Sequence, residues 1–329
     1  GLADGTVDIA IGTHALIQKS VVFKHLATVI IDEQHRFGTK QRAKLVQKDG
    51  RVPHFLSMTA TPIPRTLALT LYGDLDLTLL DQMPSGRKPV ITEIIPTGAR
   101  KESEERIRAM LAEGRQAYVI CPRIDEADPE KEQALIAKSV KEEAKRLKEK
   151  VFPEYEIGIL HGKMRPAEKD EVMEAFSSGE IDILVATSVV EVGVNVPNAT
   201  VIVIEGAERF GLAQLHQLRG RVLRGTHQAY CFLFSETKGE KTFERLKALV
   251  TAKNGFELSE MDLALRGAGE LGGGKQWGIS DMGMEAIKNL KMVEAAHVEA
   301  KRILGEDLHL ERHPLLRERL DTRGVKHFE

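Results

Sequence analysis

Leu26-Ala27-Thr28-Val29-Ile30-Ile31-Asp32-Glu33-Gln34-His35 is a short apolar run that ends on two adjacent carboxylates. Its β-branched content predicts a buried strand of a parallel sheet. Two acids at the C-terminal tip of such a strand suit nucleotide hydrolysis. The first can hold a magnesium ion and the second can take a proton from water. The competing reading is an acidic helix N-cap after a strand. A phosphate loop of the form GxxxxGK(S/T) is expected upstream of such a site. None stands in the thirty-one residues before Asp32. The chain therefore carries one half of a nucleotide site.

A second strand reading, Phe55–Met58, leads into Ser57-Met58-Thr59-Ala60-Thr61-Pro62-Ile63-Pro64-Arg65. Three hydroxyls cluster at that tip, where they can bond the carboxylates and sense what these bind. Further on, Gln217-Leu218-Arg219-Gly220-Arg221-Val222-Leu223-Arg224 places Arg221 and Arg224 three apart, on one face of a helical turn. Two guanidiniums so spaced can clamp a γ-phosphate. A basic surface helix or nucleic-acid contact is the alternative. Thr187 and Ser188 fall at the tip of a buried strand, where α/β sheets bind ligands, and Gly12-Thr13-His14 is expected at a similar tip. Small polar residues there suit a phosphate backbone approaching closely. His161 reads as a satisfied loop histidine.

Short β-rich runs alternate with amphipathic segments, which predicts α/β architecture. Strands are expected at 7–11, 26–31, 55–58, 75–80, 90–95, 117–121, 157–160, 181–186, 201–205 and 230–234. Helices are expected at 39–47, 65–71, 100–113, 129–150 and 166–176, the last opened by Pro166. The mixed charges of 131–150 read as a solvated helix face with i,i+4 pairs. Met83-Pro84-Ser85-Gly86-Arg87-Lys88-Pro89 reads as a linker. The domains follow: 1–84, a partial first lobe; 85–238, a complete second lobe; 239–283, where the strand pattern fades and a glycine-rich stretch falls at 266–278; and 284–329, a helical end.

A length of 329 residues allows two or three domains, and 42% hydrophobic content suffices for cores. Net charge is −2, so a nucleic-acid partner would have to meet local basic patches. Aromatics at 5% argue against broad stacking surfaces. Cys121 and Cys231 lie in apolar runs and read as buried, reduced thiols. No run approaches the ~18 apolar residues of a membrane span, and no signal peptide is visible. A cytoplasmic protein is expected. The chain opens at Gly1-Leu2 without methionine, as a piece or processed product would.

Several motifs together resemble the RecG family of superfamily-two ATP-dependent DNA helicases. They are DEQHRFG at Asp32–Gly38, TATPIPRTLA at Thr59–Ala68 and LYGDLDLTLLDQMPSGR at Leu71–Arg87. GAERFGLAQLHQLRGRV at Gly206–Val222 and DLALRGAGELGGGKQWG at Asp262–Gly278 complete the set. The resemblance implies two RecA-like lobes, the first truncated, with a C-terminal helical and translocation segment. It implies ATP and magnesium as cofactors. It also implies branched double-stranded DNA (forks and Holliday junctions) as partner, a nucleoid location, a monomeric motor in the intact protein and a role in repair and recombination.

By matching position, Asp32 holds magnesium and Glu33 orients the attacking water. His35, Thr59 and Thr61 couple nucleotide state to DNA grip, and Gln217 helps at the nucleotide. Arg221 and Arg224 are the arginine fingers. Thr13, His14, Thr187 and Ser188 touch DNA, while Arg266 and Gln276 serve translocation. Leu223 and Asn195 depart from the family's glycine and aspartate, and Gly273 and Trp277 also look atypical. Trp277 is expected to pack. The transcription-repair translocase family Mfd, which shares the motor, is the runner-up. A non-catalytic DNA-binding or inert fragment is the alternative from another class, because residues 1–329 lack the phosphate loop.

Overall fold

The computed structural model describes residues 1–18, 20–33, 53–60, 78–80, 82, 86–122, 139–187, 196–222, 227–236, 239–266 and 290–323. The chain divides into two compact units. One joins Gly1–Asp76 to Ile279–Glu329, and the other is Leu77–Gly278.

In the first unit, β1 (Thr28–Ile31) pairs with β2 (His54–Ser57) in parallel, Ile31 opposite Ser57. Val29 and Ile31 point into a small core with Leu26 and Phe55. Their alternates, Ile30 and Leu56, stand 62% and 50% exposed. One face of this parallel pair is thus open, whereas parallel sheets are ordinarily covered on both. The expected strand at 7–11 does not form. Val7, Ile9 and Ile11 alternate as a strand should, but all are exposed, with no described strand beside them. Nor do 78–80, the described end of the expected 75–80 strand, extend as one. The helices expected at 39–47 and 65–71 lie outside the described residues. C-terminally, this unit carries helices Leu290–Glu306 and Pro314–Arg323.

The second unit is built on a six-stranded sheet in which every described pairing is parallel. Its strands are β3 (Ile91–Pro96), β4 (Gln116–Cys121), β5 (Ile157–Leu160), β6 (Ile183–Thr187), β7 (Ala199–Ile204) and β8 (Tyr230–Ser235). The order is β3-β8-β7-β4-β6-β5, so all C-terminal tips share one edge. Every residue of β4, β6 and β7 is buried, as central strands covered on both faces require.

Alternate residues feed two cores. Tyr118, Ile120, Leu184, Ala186, Ile202, Ile204, Cys231 and Leu233 face one side. Val119, Cys121, Ile183, Val185, Val201, Val203, Phe232 and Phe234 face the other. The helices are α1 (Arg100–Ala112), α2 (Pro166–Ser178), α3 (Leu212–Arg219), α4 (Glu240–Thr251) and α5 (Gly255–Arg266). A helical stretch over 139–146 ends in a π-turn, Leu147–Val151. α1 and 139–151 cover the second core, and α2 to α5 the first.

Pro166 begins α2 as its position predicts. The Arg165 amide donates to Glu168 Oε2 at 2.9 Å, closing the first turn. Gly179, at φ 88°, ends it. Both cysteines are buried and unbridged. Burial pushes the Cys231 thiol up to about 12.

Candidate functional site

The first unit brings two of the predicted motifs to one point. Met58 donates its amide to the Ile31 carbonyl at 2.8 Å, extending the ladder one step past β2. Asp32-Glu33 and Met58-Thr59 therefore leave the same edge of adjacent strands. Asp32 is exposed, and its Oδ1 accepts the Glu33 amide at 2.9 Å. Glu33 is half-buried and sits at φ 53°, a left-handed backbone that costs a non-glycine residue ~1 kcal/mol or more. Such strain is stored where a side chain must be aimed. Thr59 is exposed beside them. His35 and Thr61 lie outside the described residues.

Thr13 is exposed and precedes a 3-10 turn, His14–Ile17. The strand tip expected for Gly12-Thr13-His14 is corrected, because residues 7–12 form no strand.

One carboxylate bonded to its own neighbour's amide leaves its other oxygen for a cation. That suits magnesium, which takes one or two carboxylates and keeps waters and phosphate oxygens as its other ligands. Among the described residues, no group of three or more His, Cys, Asp or Glu could cage a metal.

In the second unit, Thr187 ends β6 with its hydroxyl buried and without a hydrogen-bond partner among the described residues. β5 runs beside it with Leu160 opposite Ala186, so His161 stands next to Thr187. His161 is buried, and its Nδ1 also lacks a described partner. The expectation of a satisfied histidine is thus corrected for that atom. Burial, then Lys141 and Lys169, holds its pKa below the ordinary value. Two unpartnered polar groups at adjacent strand tips are an opening for a ligand oxygen. Ser188 lies outside the described residues.

Gln217 is half-buried on α3. The α-helix stops at Arg219, and Arg221 sits in a 3-10 turn, Gly220–Val222, rather than on a continuous α-helical face. Arg221 is half-buried, and Arg224 lies outside the described residues. Arg266 is the last residue of α5, and Gln276 lies outside the described residues, as does Trp277.

Sequence reading missed an ionic cluster at the same edge of the sheet. Arg100, opening α1, donates Nη1 to Glu205 Oε2 at 3.1 Å and Nη2 to Oε1, just past β7. Arg100 also bonds Glu104 at 3.1 Å and lies 4.6 Å from the Phe234 ring centre. Arg146 bonds Glu143 at 2.7 Å and Glu104 at 3.1 Å. Burial pushes the Glu205 carboxyl up, against the pull of Arg100. The described part of the 131–150 face, read as solvated, therefore turns Glu143 and Arg146 inward. Its i,i+4 pairing survives in Lys145 and Glu149, 3.8 Å apart.

No helix among the described residues is long and apolar enough to cross a membrane.

Two family models match the chain: DEAD/DEAH box helicase over residues 2–70, and helicase conserved C-terminal domain over 102–226. The chain is 49% identical to the ATP-dependent DNA helicase RecG of Synechocystis sp., over 99% of this chain and 38% of that protein. It is 45% identical to the RecG of Bacillus subtilis, over 98% of this chain and 47% of that one. It thus spans less than half the length of these relatives. A solved structure of RecG bound to a three-way DNA junction matches at 44% identity with a TM-score of 0.66, covering 89% of this chain and 37% of that one. Its parallel sheets are those of RecA-like helicase domains. Identity near one half along almost its whole length, with helicase models over both units, means that the chain belongs to the RecG family.

Proposed function

We propose that the chain supplies motor parts of an ATP- and magnesium-dependent double-stranded DNA translocase that remodels forks and Holliday junctions in repair and recombination. The observation that carries this reading is the junction of Asp32-Glu33 with Met58-Thr59 at one sheet edge, within a chain 44% identical to a RecG structure bound to a DNA junction.

In this reading Asp32 is the protein's ligand to magnesium, which screens the charge of the phosphates. Glu33 accepts the proton of the attacking water, aimed by its left-handed backbone. Thr59, with Thr61 and His35, passes the state of the nucleotide to the DNA grip. Arg221 and Arg224 neutralise charge building on the transferred phosphoryl group, and Gln217 contacts the nucleotide. Thr13, His14, Thr187 and Ser188 hold DNA phosphates, a role the unpartnered Thr187 hydroxyl supports. Arg266 and Gln276 act in translocation.

The functional partition is 1–84 and 85–238 for the lobes, 239–283 for translocation and 284–329 for the helical end. The motor is monomeric and works in the cytoplasm on the nucleoid. The test is ATP turnover, with and without forked DNA, by the full natural polypeptide that contains this chain. DNA-stimulated hydrolysis is expected. Tight binding of forked DNA with no stimulation of hydrolysis would sink the reading.

A further inference from the structure

Arg219 stands two residues before Arg221 and reaches into the protein. Its Nη1 donates to the carbonyl of Leu249 at 2.6 Å, thirty positions along the chain. Its Nη2 donates to His216 Nδ1 at 3.1 Å. No carboxylate is paired with it among the described residues. Burial pulls the guanidinium's pKa below the usual arginine range. Burial, and then Arg219 itself, pull His216 down to about 4, so His216 is neutral and its Nδ1 accepts.

An isolated buried cation is expensive, and an apolar side chain of similar volume would fill this space more cheaply. Something in the geometry must offset it. Leu249 lies in the last turn of α4, whose terminal carbonyls lack helical partners and carry the negative end of the helix dipole. The guanidinium therefore caps the C-terminal end of α4.

A second arginine makes the reciprocal contact. Arg245, on α4, donates Nη2 to the carbonyl of Glu208 in the 3-10 turn Ala207–Arg209 that precedes α3. Each element thus lends an arginine to a backbone carbonyl of the other. α4 is held at two points about a turn apart, one bonded to the end of α3 and the other to the 3-10 turn that precedes it. α5 packs on both α3 and α4, completing a three-helix block that ends at Arg266.

We propose that Arg219 and Arg245 form a two-point clasp in which Arg219 is a positioning residue. It sets the orientation of the turn bearing Arg221 and makes that turn move as one body with α4. The clasp rests on the reading of Arg221 as a phosphate-contacting arginine. Its own geometry involves only residues within the second unit. The turn bearing Arg221 would then be fixed by charge-assisted hydrogen bonds in addition to the apolar packing of Leu212, Leu215, Leu218 and Val222.

The experiment uses the full natural polypeptide carrying Arg219→Met, with Arg219→Lys as second variant. Amide hydrogen exchange and DNA-stimulated ATP turnover are both read. Methionine keeps volume and removes the charge, so the fold is expected to persist. The clasp predicts that exchange quickens together at 220–222 and 249–252 by tenfold or more. It also predicts that kcat falls about tenfold while KM for ATP stays within twofold, and that lysine, which keeps one donor, recovers part of both.

Unchanged exchange at either segment, or unchanged kcat with loosened segments, overturns the proposal. If the methionine variant does not fold, the lysine variant decides on the same readouts. A wild-type protein without DNA-stimulated turnover would instead sink the motor reading, and exchange alone would then judge the clasp.

Discussion

The amide of Met58 and the carbonyl of Ile31 are joined at 2.8 Å, one step beyond the last residue of β2. This bond places the Asp32 carboxylate and the Thr59 hydroxyl on neighbouring strand ends. It also separates two properties of Glu33, its backbone strain and its carboxylate.

That separation can be tested. In the full natural polypeptide, Glu33→Gln is expected to lower ATP turnover by ~10²–10⁴-fold while nucleotide binding persists. Glu33→Gly relieves the φ of 53° and is expected to leave the melting temperature equal or higher, with turnover still lost. Retained turnover in either variant would remove Glu33 from the chemistry. Residues 1–329 alone, which contain no GxxxxGK(S/T), are expected to show no measurable ATPase.

Arg100 and Glu205 offer a stability test by double-mutant cycle. Removing one member of a buried pair costs ~3–5 kcal/mol, and these side chains are 30% and 17% exposed, so about 1–3 kcal/mol is expected for Arg100→Met or Glu205→Leu. The double variant should lose less than the sum of the singles. Strict additivity in urea melts would show that the pair is not coupled.

His216 makes the second unit sensitive to mild acid. Its folded pKa, about 4, lies below the ordinary histidine value of 6.5. The unfolded chain therefore takes up a proton that the folded one refuses. The neutral histidine's contribution is complete above pH 6.5 and is lost as pH falls from there to about 4. A loss on the order of 3 kcal/mol is expected across that window. In His216→Gln, that part of the pH dependence should vanish. An unchanged stability profile would place the imidazole in water.

Ile30 and Leu56 crowd the open face of the two-stranded sheet, 62% and 50% exposed. Parallel strands with a bare apolar face invite association. Residues 1–329 are expected to self-associate at high concentration in light scattering, and Ile30→Lys with Leu56→Lys to reduce it. A clean monomer at high concentration would count against this.

The sheet was largely legible because its strands are continuous apolar runs. Ile157–Leu160 forms at the expected bounds, and the other strands that form shift by one to two residues at one or both ends. Val7, Ile9 and Ile11 show where pattern fails, since alternation suits a strand but only pairing makes one. Asp32 and the hydroxyls past β2 were legible as motifs because the chain writes each in a few consecutive residues.

The cluster of Arg100, Glu104, Glu143, Arg146 and Glu205 is gathered from three distant segments. No local spacing announces it. Arg219 was hidden differently. It lies inside a string already claimed by Arg221, and only its contact with Leu249, thirty positions on, reveals a separate task.

The pairing of Ile31 with Ser57 has a consequence for how this lineage can change length. The carboxylates and hydroxyls are aligned by a hydrogen-bonded ladder. Insertions and deletions outside the two strands leave its register as it is. A single residue gained within Thr28–Ile31 or His54–Ser57 turns every following side chain to the opposite face, and with it Asp32 and Glu33 or the hydroxyls opposite them. Natural variation in length should therefore collect outside the two strands and stop abruptly at the bounds of Thr28–Ile31 and His54–Ser57.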